Sequence, residues 1–149
     1  MKIIGLILLS LTPLLISLNY RNKLMERCEK LSMLVLLMKS IKQYIRHTRS
    51  PLNEILEHIQ NPLIIGDSED KTDNIYMNLE SFKHEQLIVS DCFNKIEGLD
   101  IISVCEELDL CIEKLVESEN EAINIFKEKS AISVKLGGLG SAFVFIFLI

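Results

Sequence analysis

Charged residues are missing from both ends of this 149-residue chain. Residues 3–20 carry no charge, residues 136–149 carry none, and every charge except that of Lys2 lies between Arg21 and Lys135. This segregation excludes a uniformly soluble globule, a disordered acidic chain and a collagen or disulfide scaffold. It also argues against a small soluble enzyme, because the charged middle of the chain is too short to bury both apolar ends.

The net charge of −5 hides a second asymmetry. Residues 21–50 hold eight basic and two acidic residues, whereas residues 51–135 hold seven basic and nineteen acidic ones. The acidic main body argues against nucleic acid as a partner, because phosphates require a basic surface. The basic stretch fits anionic lipid headgroups, or it pairs with acidic neighbours in its own bundle; the two interpretations are compatible.

Residues 1–20 are predicted to form an N-terminal transmembrane helix. The uncharged run 3–20 would span about 27 Å as a helix, close to the thickness of the hydrocarbon core. A cleaved signal peptide is the alternative. No small-x-small cleavage site follows the run, so an uncleaved helix is favoured.

Residues 136–149 are predicted to form a second, C-terminal transmembrane helix. Extended back to Ser130, this segment has 20 residues and one charge, Lys135, whose side chain can reach the headgroups. Two alternatives stay open: a buried core helix, and a strand over the β-prone residues 143–149.

Basic residues flank both apolar runs on their inner sides. By the positive-inside rule they place residues 21–135 in the cytoplasm, with the two ends facing the opposite side and membrane lipids as partners. The four cysteines form no C-x-x-C pair, and they are expected to be free thiols in a reducing compartment. The flanking basic residues are Arg21, Lys23, Arg27, Lys127, Lys129 and Lys135.

Residues 21–135 are predicted to form a helical bundle, so the fold class is all-α. Apolar residues recur at helical spacing in two long stretches, which should pack as antiparallel helices around a single core. Three neighbouring leucines, Leu34, Leu36 and Leu37, widen the apolar face of the first stretch. The first stripe comprises Leu24, Cys28, Leu31, Val35, Met38, Ile41 and Ile45, and the second comprises Ile101, Cys105, Leu108, Ile112, Leu115, Ala122 and Phe126.

Turn-forming residues divide the region between these two long helices into shorter elements. Ser50 and Pro51 predict a helix start, with serine as the cap and proline at the first helical position. Asn61–Pro62 ends that helix, and Gly66–Asn74 is predicted to be a polar loop.

Residues 75–97 are predicted to form one helix or two. Ile75, Leu79 and Phe82 share one face, and the next face begins with either Leu87 or Ile88. Gly98 then breaks the pattern, and Asp100 is expected to cap a helix that runs from residue 101 into the C-terminal span.

The sequence contains no recognisable catalytic residue, metal site or cofactor-binding motif. The three histidines lie far from one another and from any cysteine. No G-x-S-x-G nucleophile turn and no G-x-x-x-x-G-K-[ST] phosphate loop is present. The chain is therefore not expected to be an enzyme.

Small residues recur four apart in the C-terminal segment. Gly137 stacks with Ser141 and Gly138 with Ala142, and such pairs let two membrane helices approach closely. We expect a contact with a partner span or with residues 3–20. The alternative is that these glycines only ease passage of the helix through the membrane interface.

Four features of the chain resemble the stage III sporulation protein AB family of endospore-forming bacteria. They are the basic start after the first span at Tyr20–Lys23, the helix–turn–helix segment Ile45–Leu56, the turn at Ile96–Asp100, and the ending Val134–Gly140 with its apolar tail. The resemblance extends over nearly the whole chain.

The resemblance implies a cytoplasmic helical domain similar to the platform protein of type II secretion machines. It implies membership of the channel complex that links mother cell and forespore, with a secretion-type ATPase and small polytopic membrane proteins as partners. Two other functions remain open: a generic membrane-tethered helical adaptor, and a membrane-bound enzyme with an unrecognised site.

Overall fold

A computed structural model describes residues 2–48, 50, 52–66 and 69–148, without the side chains of residues 2–10, 53, 145, 147 and 148. The described residues are mostly helical and contain no strand, which confirms the all-α class. The alternative of a C-terminal strand is wrong over residues 143–148, which are helical. The five helices are α1 (Lys2–Thr48), α2 (Leu52–His58), α3 (Lys71–Asn78), α4 (Lys83–Ile96) and α5 (Ile101–Leu148).

The chain divides into two compact units. The terminal unit comprises Met1–Glu29 and Asn120–Ile149, and the central unit comprises Lys30–Glu119. The boundaries that the sequence predicted, after residues 20 and 135, remain predictions.

The central unit has one apolar core, to which all five helices contribute. Leu37, Met38 and Ile41 of α1 are fully buried, as are Val89 of α4 and Leu108 of α5. Each fully buried side chain of this size stabilises the fold by about 1.5–3 kcal/mol. α1 passes through the central unit as one unbroken helix. It has no Gly or Pro between residues 19 and 48, and its buried residues pack in the core.

Both predicted stripes supply buried residues, but the prediction that Leu36 widens the apolar face is wrong. From Leu31 to Ile45 the first stripe is buried, and Leu24 and Cys28 before it are half-buried. In the second stripe Leu108, Leu115 and Ala122 are buried and the other members are half-buried. Leu36 is 58% exposed, so the apolar face of α1 widens through Leu34 and Leu37 and not through Leu36.

The predicted loop over Gly66–Asn74 is wrong in its second half, because α3 begins at Lys71. Asp70 caps this helix: its Oδ1 accepts a hydrogen bond of 2.9 Å from the backbone N–H of Thr72. Such a cap satisfies one of the donors that a helix start leaves open. Hydrogen bonds from the Thr72 hydroxyl and from the Thr72 backbone N–H hold the pKa of the Asp70 carboxyl below its usual range.

Asparagine side chains tie the segment after α2 to its neighbours. α2 ends at His58, and the Asn61 amide then donates to the Met33 carbonyl at 3.2 Å while its oxygen accepts from the Leu63 N–H at 2.9 Å. The Asn78 amide donates to the Leu63 carbonyl at 3.1 Å. These bonds hold Leu63, which the helical patterns did not single out, in the core.

The remaining turns follow the sequence closely. Two helices, α3 and α4, occupy residues 75–96 apart from the turn at 79–82. The half-buried Ile88, rather than the exposed Leu87, faces the core. Gly98 has a φ of +84°, which other residues rarely adopt, and it follows the end of α4. Asp100 then caps α5, accepting from the Ile102 N–H at 3.2 Å and from the Ser103 hydroxyl.

Among the helices of the described residues, none carries an apolar stretch of sufficient length to cross a lipid bilayer. Met1 and Ile149, the outermost residues of the two predicted membrane segments, lie outside the described residues. The two predicted spans, residues 1–20 and 136–149, are thus not confirmed.

Candidate functional site

The terminal unit exposes many of its large apolar side chains. Among the residues whose side chains are described, Ile16 is 71% exposed, Leu139 68%, Phe143 69% and Ile146 75%. Large exposed apolar surfaces on a protein mark contacts with a partner or with lipid. The outside of the terminal unit is therefore a candidate interaction surface.

A contact inside the terminal unit is formed by polar and small residues instead. Ser17 of α1 is buried, and its hydroxyl donates to the Ser133 carbonyl of α5 at 2.7 Å. The two hydroxyl oxygens lie 3.1 Å apart. Gly137 is buried one helical turn further along α5, beside Ser17 and Pro13. We call these four residues, Pro13, Ser17, Ser133 and Gly137, the serine–glycine contact.

Gly137 permits this contact because it has no side chain. A Cβ at this position would lie 2.6 Å from the Ser17 Cβ and 3.3 Å from the Pro13 carbonyl oxygen. The first distance is shorter than real Cβ atoms tolerate, so the two helices would have to move apart. Close approach of this kind is the ordinary use of glycine between paired helices.

The four small residues of the predicted membrane-helix contact occupy different environments. Gly137 lies in the serine–glycine contact, Ser141 is half-buried, and Gly138 and Ala142 are exposed. Open space surrounds the position of a Cβ on Gly138. Their role as a contact between membrane helices remains a prediction.

Ser17, Ser133 and Pro13 are contact residues that the sequence patterns did not predict. Ser17 is one of three serine or threonine residues in the uncharged run, with Ser10 and Thr12, and a polar side chain in such a run often finds a partner on a neighbouring helix. Nothing in the local pattern indicated that its partner would be Ser133, which lies 116 residues away in the chain.

The other predicted site residues are surface residues or part of a turn. Ser50 is half-buried and non-helical, whereas Pro51 lies outside the described residues, so the predicted helix start is described only from Leu52 onwards. All six basic residues that flank the apolar runs are exposed: Arg21, Lys23, Arg27, Lys127, Lys129 and Lys135.

The central unit contains an open cavity of about 690 Å³, which we call the Tyr76 cleft. Its walls come from all five helices and from the turn between α4 and α5. The lining includes the buried Ile45, Phe93 and Val104, the half-buried Tyr76, and the exposed Glu97 and Leu99. Volumes of this size are typical of binding pockets.

Two buried thiols lie between α4 and α5. Neither Cys92 nor Cys111 forms a disulfide, and Cys105 forms none either. The Cys92 thiol donates to the Glu107 carbonyl and the Cys111 thiol to the Ile88 carbonyl, each at 4.0 Å. The neighbouring Cys92 thiol, together with burial, raises the pKa of Cys111, so this thiol stays protonated.

Clusters of metal-binding side chains are absent from the described part of the chain. The arrangement of the described residues offers surfaces for association: the apolar outside of the terminal unit and the Tyr76 cleft of the central unit.

Comparison with known families addresses the resemblance directly. Residues 2–63 match the family model of stage III sporulation protein AB. This range includes two of the four features on which the resemblance was based, Tyr20–Lys23 and Ile45–Leu56, whereas the other two lie beyond it.

No curated protein and no solved structure matches the chain. The family match alone therefore confirms the resemblance, over residues 2–63, to stage III sporulation protein AB, and this family implies a role in sporulation.

Proposed function

We propose that this chain is a non-catalytic, membrane-attached helical component of the channel complex that links mother cell and forespore during sporulation. The family match supports the sporulation role. The segregation of charge along the sequence supports attachment of both ends to one membrane.

The observation that carries the proposal is the distribution of apolar and small residues between the outside and the inside of the terminal unit. Its large apolar side chains, such as Ile16 and Leu139, are exposed, while its buried contact consists of serine, glycine and proline. In water, exposed apolar area costs about 25 cal/mol per Å² relative to burial. In lipid this cost disappears, and helices associate instead through small residues and hydrogen bonds.

The central unit supports a role in binding. It exposes Leu87, Ile102 and Leu110 among acidic residues, as expected for a protein that holds other proteins together. In this proposal the central unit faces the cytoplasm of the mother cell, and its partners are the complex's secretion-type ATPase and small polytopic membrane proteins, as the family implies.

Membrane attachment is tested by alkaline carbonate extraction of membranes from sporulating cells. We expect the wild-type chain to stay in the pellet. The double substitution Ile16→Asn with Leu139→Asn should release it, because two polar side chains would then face lipid.

The central unit offers a matched control for this experiment. Ile102 and Leu87 are 71% and 67% exposed, nearly the same as Ile16 and Leu139 at 71% and 68%. The double substitution Ile102→Asn with Leu87→Asn should leave the chain in the pellet. Equal release of both double variants, or a wild-type chain that washes off, would overturn the attachment.

The role in the complex is tested by genetics. Deletion of the gene should abolish heat-resistant spores, and the wild-type gene, expressed only in the mother cell, should restore them. A deletion strain with normal spore yield would contradict the proposal. An affinity purification in mild detergent should recover the ATPase with the wild-type chain.

A further inference from the structure

Cys92 of α4 and Cys111 of α5 make matching hydrogen bonds across two neighbouring helices of the central unit. The Cys92 thiol donates to the carbonyl of Glu107, four residues before Cys111. The Cys111 thiol donates to the carbonyl of Ile88, four residues before Cys92. This reciprocal pattern is that of two antiparallel segments, in which Cys92 is level with Glu107 and Cys111 is level with Ile88.

The direction of the two side chains brings their sulfur atoms together. In an α-helix the Cα–Cβ bond tilts toward the N-terminus. Cys92 therefore leans toward the turn that contains Ile88, which is level with Cys111. Cys111 leans the opposite way, toward the turn that contains Glu107, which is level with Cys92. Both thiols consequently occupy the same space between α4 and α5, where each residue is only 4% exposed.

A cavity of about 370 Å³ leads from the surface to both thiols. Leu87 and Leu110 lie at its edge and are 67% and 52% exposed, so the cavity opens to solvent. A water molecule takes up about 30 Å³ of liquid volume, and hydrogen peroxide is only slightly larger. The cavity therefore admits a small oxidant to two side chains that are otherwise buried.

The surroundings favour Cys92 as the thiol that reacts first. The neighbouring Cys111 thiol lowers the pKa of Cys92. The positive charges of Lys95 and Lys114 lower this pKa further, against burial and the negative charge of Glu107. The pKa of Cys111 is raised instead, and the thiolate is the reactive form of cysteine. The titratable residues that line the cavity besides the cysteines are His84, Asp91, Lys95, Glu107 and Lys114.

We propose that Cys92 and Cys111 form a dithiol oxidation site, which hydrogen peroxide converts into a disulfide between α4 and α5. The Cys92 thiolate attacks one oxygen of the peroxide, the O–O bond breaks, and the leaving hydroxide takes up the proton that Cys92 gave up. The Cys111 sulfur then attacks the sulfenic acid on Cys92, the S–O bond breaks, and the expelled hydroxide leaves as water with the Cys111 proton. The two thiols lose two electrons, and the peroxide is reduced to two water molecules.

The thiols are the resting form in a reducing compartment, where disulfides are transient and thiol reductants reverse them. Once formed, the disulfide connects two helices that the chain otherwise joins through the turn at Gly98. It thereby restrains the central unit while peroxide is present. Membrane attachment of the terminal unit is not required for this reaction.

Peptide mapping of the purified full-length chain tests this proposal. The reduced protein, in mild detergent, is treated with hydrogen peroxide, denatured together with N-ethylmaleimide, digested and analysed by mass spectrometry. We expect each chain to lose about 2 Da, the mass of two hydrogens, and to carry one dominant disulfide, between Cys92 and Cys111. Dithiothreitol should restore both thiols.

The same oxidation in concentrated urea is the matched control. Unfolding removes the register of α4 and α5, so the share of the Cys92–Cys111 disulfide should fall. The share of a disulfide between Cys105 and Cys111, which are neighbours along the chain, should rise because a short loop closes more readily. In the folded protein Cys105→Ser should leave the Cys92–Cys111 disulfide unchanged.

Two single substitutions identify the attacking thiol. In Cys111→Ala the sulfenic acid on Cys92 has no partner, and dimedone added with the denaturant should trap it. In Cys92→Ala the labelling of Cys111 by dimedone should be about tenfold lower, because this thiol stays protonated. Circular dichroism confirms that both variants keep their helix content, and mapping of the wild-type chain depends on neither variant.

Several outcomes would overturn the proposal. They are an unchanged mass after peroxide treatment, a dominant disulfide through Cys28 or Cys105 in the folded protein, a disulfide between two chains, and an equal share of the Cys92–Cys111 disulfide in urea. Equal dimedone labelling of the two single variants would overturn the assignment of Cys92 as the attacking thiol.

Discussion

The two units of this chain differ in where they place large aliphatic side chains: the central unit buries them, and the terminal unit exposes many of them. In the central unit Leu37, Ile41 and Leu108 are fully buried, as in a water-soluble domain. In the terminal unit Ile16 and Leu139 point outwards. A serine pair and a glycine form a close contact inside that unit.

This difference shows that the two long helices, α1 and α5, pack in one way in the central unit and in another way in the terminal unit. α1 and α5 each contribute residues to both units. In the central unit their segments are stabilised by removal of apolar area from water, which needs large side chains. In the terminal unit they associate through close backbone approach and hydrogen bonds, which need small ones. A set of substitutions can therefore separate the two contributions.

The largest difference is expected between two leucines on α5. Leu108→Ala should lower the free energy of unfolding by about 2–5 kcal/mol, because it leaves a cavity in the core. Leu139→Ala, at a 68% exposed position, should change it by less than about 0.5 kcal/mol. Urea titration in mild detergent, followed by circular dichroism at 222 nm, measures both. Equal losses would mean that the two units do not differ in the way described.

Two adjacent glycines give the next largest contrast. Gly137→Val should weaken the pairing of α1 and α5 in the terminal unit by about 1–3 kcal/mol, because its side chain would collide with Ser17 and the Pro13 carbonyl. Gly138→Val meets open space and should have little effect.

A cysteine pair at Ser17→Cys and Ser133→Cys reports this pairing. The two hydroxyls lie 3.1 Å apart, so the introduced thiols should oxidise readily to a disulfide, quantified by mass spectrometry of the linked peptides. The yield should fall when Gly137→Val is added and stay constant when Gly138→Val is added. A fall with both substitutions would contradict the close approach at Gly137.

The hydrogen bond of Ser17 should contribute less. Ser17→Ala removes the bond to the Ser133 carbonyl and should cost about 0.5–1.5 kcal/mol. Hydrogen exchange of the peptides covering residues 11–29 and 120–140 should increase, while that of residues 30–119 stays unchanged. An increase confined to residues 30–119 would contradict the assignment of Ser17 to the terminal unit.

The long helices were predictable because their patterns extend over many turns. The stripe that includes Leu31 and Ile45 in α1 and the stripe that includes Leu108 and Leu115 in α5 place their buried residues correctly. Gly98 and Asp100 were equally readable, since a left-handed turn residue followed by a cap marks a helix boundary.

α3 was harder, because its start is polar and only Ile75 among its residues indicates a buried face on its own. The helix depends on the Asp70 cap and on the burial of Asn74, a residue whose type gives no reason to expect an interior position. The serine–glycine contact could not be predicted either, because a contact between Ser17 and Ser133 depends on how two distant helices pair.

The smallest expected effect concerns pH and the caps of the central unit. Hydrogen bonding with Ser103 lowers the pKa of Asp100 from its usual value of 3.8, so the carboxylate is stabilised in the folded state relative to the unfolded one. This contribution is present above the unfolded pKa and is lost as the pH falls through the folded pKa. The difference in Tm between the wild-type chain and Asp100→Asn should therefore be larger near pH 6 than near pH 3.

The matched control for this prediction is Asp91→Asn, at an exposed position in the middle of α4 rather than at a cap. The difference in Tm of this variant from the wild type gives the baseline for the change between the two pH values. If the Asp100→Asn difference changed no more than this baseline, the carboxylate would contribute to α5 only as a hydrogen-bond acceptor that asparagine replaces.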